Sequence, residues 1–155
     1  MKPKEITCFS DLKKYEGKHI GDSDYLKITQ EMINQFADAT LDYQWIHIDP
    51  DRAAIESPFK TTIAHGYLTL SVLPYLWDQI VHVTHVKLTV NYGIEKLKFI
   101  EPVKVNDEVR AVVHVVSVVD LRGITKAQMR VTLEIKGTKK SAFVTDVIFL
   151  YHFNS

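Results

Sequence analysis

Cysteine is almost missing from this chain: Cys8 is the only one in 155 residues. No disulfide can form within it, and no cysteine cluster can hold zinc or an iron–sulfur centre. A reducing, cytoplasmic compartment fits that usage. Glycine is sparse as well. The six glycines, at 17, 21, 66, 93, 123 and 137, never fall at the spacing of a dinucleotide fingerprint or a phosphate-binding loop, which excludes Rossmann and nucleoside-triphosphatase readings. No serine has glycines two residues away on both sides, so the nucleophile elbow of serine hydrolases is absent.

Net charge is also lacking. Nineteen basic residues balance nineteen acidic ones, leaving no long-range field to gather nucleic acid or an anionic membrane. The most apolar runs, YLTLSVLPYLW and VVHVVSVV, fall well short of the about 20 residues that cross a bilayer. The start, MKPKEITCFSDLKKYEG, is basic but lacks the apolar stretch of a secretory signal, so it reads as mature protein. Without repeats, low-complexity segments or linkers, residues 1–155 read as one domain. At this length folding hides roughly 70% of the unfolded chain's surface, enough for a sizeable core.

What is present divides into a helical first half and a β-rich second half. Ser10 is placed to cap a short helix over 11–15, with a turn over 21–24 and a brief strand over 25–28. Thr29 precedes Gln30, Glu31, Met32, Ile33 and Phe36: an N-cap, an acidic first turn and apolar positions at helical spacing, predicting a helix that stops near Thr40. The segment AHGYLTLSVLPYLW is apolar at almost every position. As a helix it must be buried nearly all round, and Pro74 would leave the Leu70 carbonyl without its donor and kink or end it. Further on, Ala127, Met129, Val131, Leu133 and Ile135 alternate with polar residues, the period of a half-buried strand. Segments 83–90, 96–100, 108–119 and 143–151 carry the same β-branched and aromatic richness. Gly93, Pro102 with Asn106 and Asp107, Gly123 and Gly137 separate them, which predicts a meandering, mostly antiparallel sheet.

The residue types that do chemistry crowd into ATLDYQWIHIDPDRAAIESPFKTTIAHG, read as mostly irregular. Asp42 and His47 are five apart, a spacing that a helix aligns poorly but a turn through Tyr43 to Trp45 can bring to one cavity. A carboxylate beside an imidazole can shuttle protons near neutral pH. Equally, Asp42 could cap the following turn while His47 satisfies a buried backbone group. His65 suits a cap for the apolar helix, Trp45, Ile46 and Tyr67 suit either walls or core, and Ser71 suits either the site or helix packing. His82 and His85, three apart on one predicted strand, point to opposite faces and cannot chelate one ion. Lys96, Lys98, Lys139 and Lys140 read as solvated strand and turn ends.

The run from Asp42 to Asp49, DYQWIHID, resembles the hydratase signature of MaoC-like proteins, most closely the nodulation-protein-N-like branch. Ser57-Pro58-Phe59, Ile63-Ala64-His65-Gly66 and Asn91-Tyr92-Gly93, followed by Leu97, Phe99, Pro102 and Val103, resemble that family too. The resemblance implies an α+β hotdog fold, a long antiparallel sheet wrapped around a central helix. It implies addition or removal of water across the double bond of an enoyl thioester carried by coenzyme A or acyl carrier protein. Asp42 and His47 would be the catalytic pair and the Gly66 amide the oxyanion donor, with His65, Trp45, Tyr67 and Ser71 around the substrate. No metal and no cofactor beyond the thioester carrier is implied, and a homodimer or higher homo-oligomer is expected. A hotdog thioesterase and a non-catalytic acyl-binding module are the alternatives. One departure concerns Leu41, bulky where the broader signature has glycine before the aspartate.

Overall fold

The structure, a computed structural model, describes residues 2–154. The second half forms the sheet. Strands β5 (Val86–Phe99), β6 (Glu108–Asp120), β7 (Thr125–Ile135) and β8 (Ser141–Phe153) run antiparallel, joined at one edge by β2 (His19–Asp22) and β3 (Leu26–Lys27). The order is β2-β6-β7-β8-β5, with β3 also on β6. The alternation read from the sequence holds along β7, where Thr125, Ala127, Met129, Val131, Leu133 and Ile135 are all buried. A two-stranded parallel sheet pairs β1 (Lys4–Ile6) with β4 (Val81–Val83).

The apolar segment is helical and the sheet wraps it, the layered arrangement of a hotdog fold. It is broken as Pro74 requires, into α5 (Gly66–Ser71) and α6 (Leu73–Ile80) with Val72 between. Leu73, Leu76, Trp77 and Ile80 form the buried stripe of α6. Trp77 stacks on Phe149 with centroids 6.3 Å apart and donates its indole N–H to the Tyr151 hydroxyl at 3.1 Å. Each fully buried side chain of this size contributes about 1.5–3 kcal/mol, so the helix is held chiefly by what it buries. Burial is not complete, since Tyr67, Ser71 and Tyr75 lie exposed.

Several expectations need correction. Ser10 lies inside α1 (Phe9–Lys13) rather than capping it, and Asp11 accepts from the Thr7 N–H and hydroxyl just ahead of that helix. The predicted turn over 21–24 is half strand, because β2 pairs with β6 through Asp22. Gly21 serves packing there: a Cβ on it would meet Ile80 Cγ2 at 2.8 Å. Segments 83–90 and 96–100 are not separate strands, since β5 is continuous past Gly93 with register shifts after Asn91 and Glu95. His82 sits on β4, whereas His85 lies in the tight connection to β5 with φ 54°. The stretch from 39 to 66 is not mostly irregular, for it holds α3 (Trp45–Ile48) and α4 (Pro50–Glu56).

Candidate active site

Thr29 starts α2 (Gln30–Thr40) as expected, its hydroxyl accepting from the Met32 N–H at 3.2 Å. The helix ends on Leu41, which takes the left-handed conformation (φ 62°) that glycine adopts without cost. This reversal throws the chain into Asp42–Gln44, and α3 then carries His47 back under the start of the central helix. Asp49 caps α4 by accepting from the Arg52 N–H at 3.0 Å.

Asp42, His47 and His65 converge: one donor atom from each lies within 4.8 Å of those of the other two. Asp42 is exposed, His47 is 8% exposed and His65 2%. The His47 Nδ1–H donates to the Ile63 carbonyl at 2.7 Å, which leaves Nε2 as the nitrogen with the free lone pair. Burial pushes the His47 imidazole below the ordinary histidine value of 6.5. The nearby His65 acts in the same direction, while the Ile63 carbonyl and Asp42 act against it. His47 is therefore a neutral base at neutral pH.

His65 does not cap α5 with its side chain. Its Nε2–H donates to the Asp42 backbone carbonyl at 3.0 Å, and its ring stacks on His47 with centroids 3.9 Å apart and planes 25° from parallel. Three residues of ligand type thus stand together, but they make a poor chelate. One nitrogen of each histidine is already bound to a carbonyl, and stacked rings project their remaining lone pairs side by side rather than at one point. The geometry suits proton handling better than cation binding.

Gly66 begins α5 next in the chain, and no acceptor among the described residues takes its N–H. It lines a cleft of about 270 Å³ with Phe59, Ile63, Ala64, Phe99 and Val103. Phe99 stands directly over Gly66: a Cβ there would lie 3.0 Å from two of its ring carbons. Segment 63–66 therefore does two things, lining the cleft and holding His47 through Ile63 and Asp42 through His65. Asp42 and His47 themselves do not border this cleft.

The other expected residues are dispersed. Trp45 is half-buried with the Arg52 guanidinium 4.4 Å above its ring, and Ile46 is half-buried beside it. Tyr67 is 69% exposed and meets Phe99 edge-on. Ser71 donates to the Tyr67 carbonyl at 2.6 Å and borders a different cleft, beside Asn91 and Ile94. Sequence reasoning missed Gln30 and Thr62. The Gln30 amide donates to the His47 carbonyl at 2.7 Å, while its own carbonyl accepts from the fully buried Thr62 hydroxyl at 2.6 Å. Nothing in the spelling of one sequence marks such a brace, because its key partner is a main-chain oxygen.

The structure thus sets a carboxylate–imidazole pair beside the first turn of the central helix of a hotdog layer. The family model for the MaoC like domain matches residues 11–137. The chain is 48% identical to 3-hydroxyacyl-thioester dehydratase Z of Mycobacterium tuberculosis, over 92% of this chain and 94% of that one. It is 39% identical to nodulation protein N of Rhizobium meliloti, over 94% and 91%. Among solved structures it resembles the (R)-hydratase from A. caviae involved in PHA biosynthesis, with a TM-score of 0.67 and 25% identity over 85% of this chain and 95% of that one. The chain belongs to the MaoC-like dehydratase family and is an enzyme of the hydro-lyase class.

Proposed function

We propose that this protein hydrates 2-enoyl thioesters, or dehydrates the matching 3-hydroxyacyl thioesters, with Asp42 and His47 as the catalytic pair. One observation carries the reading: the carboxylate stands within 4.8 Å of a histidine whose Nδ1 is tied to Ile63 and whose Nε2 is free. A water held between the two loses a proton to the pair as its oxygen bonds the β-carbon. The electron pair of the double bond shifts toward the thioester carbonyl, and the α-carbon then takes a proton back from the pair. Hydration thus adds H and OH with no net change in the protein.

Charge appears on the thioester oxygen midway, and a fixed donor aimed there lowers the barrier. The unclaimed Gly66 N–H fits that task, and the apolar cleft it borders suits an acyl chain. Coenzyme A or acyl carrier protein carries the substrate; no metal or redox group takes part in these steps.

The working unit is a homodimer. Strand β5 is an open edge with Leu88, Val90, Tyr92 and Ile94 exposed, and a long apolar edge of this kind is stable only when covered. The single cysteine accords with a cytoplasmic location. An assay of purified protein against a panel of enoyl-CoA chain lengths tests the reading. Consumption of the conjugated thioester supports it, whereas release of free thiol without hydration would make the protein a thioesterase. Tight binding with no turnover would make it a binding module.

A further inference from the structure

One buried group has no place in the steps above. His65 Nδ1 is buried without any hydrogen-bond partner, the one such side-chain atom among the described residues. Leaving a buried polar atom unpaired costs about 1–3 kcal/mol, and a side chain that only filled space would avoid that cost by being apolar. The surroundings could accept such a residue: Phe36 packs against the ring on one side at 5.0 Å between centroids and His47 on the other at 3.9 Å. The imidazole is therefore kept for what its other nitrogen does, and that nitrogen holds the Asp42 carbonyl at 3.0 Å.

Resting on the function proposed above, we infer that His65 is a positioning residue that locks the Asp42 loop to the first turn of the central helix. Its Nε2–H fixes the main chain of Asp42, its ring is a platform for His47, and its own carboxyl side forms the peptide whose N–H belongs to Gly66. One side chain thereby sets the spacing between the proton-handling pair and the oxyanion donor. The Asp42 loop needs such a lock. The Asp42 carboxylate itself makes only the long contact from the Gln44 N–H at 3.4 Å, the loop's far end is tied by the Gln44 carbonyl accepting from the His47 N–H at 3.0 Å, and its near end follows a left-handed Leu41.

The test compares wild type, Asp42→Asn, His65→Phe and His65→Gln. Phenylalanine keeps the stacked ring, removes the unpaired nitrogen and removes the donor; glutamine restores an N–H near the Nε2 position. His65→Phe is expected to melt within a few degrees of wild type, to keep KM within about threefold and to lose kcat by about tenfold to a hundredfold, the scale of a misplacement near 1 Å. His65→Gln is expected to recover most of that kcat. Amide hydrogen exchange of residues 42–44 is expected to quicken in His65→Phe and to slow again in His65→Gln. The inference is overturned if His65→Phe keeps wild-type kcat and exchange, or if its activity falls only in proportion to unfolded protein with no rescue by glutamine. Failure of the wild type to hydrate any enoyl thioester would sink the proposed function instead, and the exchange comparison would still decide whether His65 locks the loop.

Discussion

Replacing Gly66 by alanine probes the contact between the central helix and the acyl cleft. The added methyl would sit 3.0 Å from two carbons of the Phe99 ring and 3.1 Å from a third, where carbon–carbon contacts settle at about 3.5–4.0 Å. The ring must therefore retreat by about 0.5 Å or more. It is not free to do so without loss, because it meets Phe143 and Tyr67 edge-on at 6.0 and 6.1 Å. Because Phe99 is 42% exposed and its ring can yield toward solvent, the cost lies at the lower end of the about 1–3 kcal/mol of core overpacking. Alanine returns about 0.4–1 kcal/mol by restricting the unfolded chain, so the net loss is at most about 1 kcal/mol, or about 2–4 °C in melting temperature. The functional effect is larger, since Gly66 and Phe99 both line the cleft of about 270 Å³. Gly66→Ala is expected to lower kcat/KM for enoyl-CoA at least tenfold in a spectroscopic assay while the protein stays folded. Gly66→Ala/Phe99→Leu should regain part of that loss, because a leucine leaves room for the methyl. Gly66→Ala with undiminished kcat/KM would refute the assignment of this cleft to the substrate.

The pH dependence follows from His47. Burial lowers its folded-state pKa below 6.5, so the acid limb of kcat/KM for hydration should lie below 6.5 and change shape in His47→Gln. Stability has a matching sign. Below 6.5 the unfolded chain takes up a proton that the folded chain refuses, so stability is fully present above 6.5 and declines as pH falls toward the folded value. Urea midpoints measured between pH 7.5 and pH 5, values chosen to span the histidine range, should show that decline in wild type and less of it in His47→Gln. Leu41→Gly should relieve the left-handed strain at φ 62° while sacrificing little packing, Leu41 being 75% exposed. A gain of about 1 kcal/mol in chemical denaturation is expected, and a loss would show that Leu41 is held by a contact outside this chain. Tyr92→Glu should place a charge on the open β5 edge and halve the mass seen by light scattering; a wild type that is monomeric at micromolar concentration would exclude the dimer.

The sheet was largely legible from sequence because its signal is local. The alternation of β6 and β7 reports one buried face, the apolar richness of β8 reports a strand buried on both faces from Thr145 to Phe149, and Thr29 and Pro74 mark helix boundaries through their own chemistry. Positions governed by distant partners were not legible. Gly21 resembles a turn residue until Ile80, far along the chain, is seen to occupy the space of its missing Cβ. The site divides in the same way. Asp42 and His47 stood out by residue type and by resemblance, yet their meeting depends on the Ile63 carbonyl and on His65, 16 and 23 residues further on. Both ordinary roles foreseen for the pair are also present: His47 does satisfy a backbone carbonyl, and Asp42 does accept, weakly, from the turn that follows it. A single bond can hold a side chain in place and leave its other atom free to react.

The most direct measurement is the rate of water addition to an enoyl-CoA by wild type, Asp42→Asn and His47→Ala, each shown to be folded by its melting curve. The account predicts turnover by the wild type and a fall of at least about a thousandfold in each variant, since each removes one half of a joint proton-transfer device. Hydration by Asp42→Asn at the wild-type rate would contradict it.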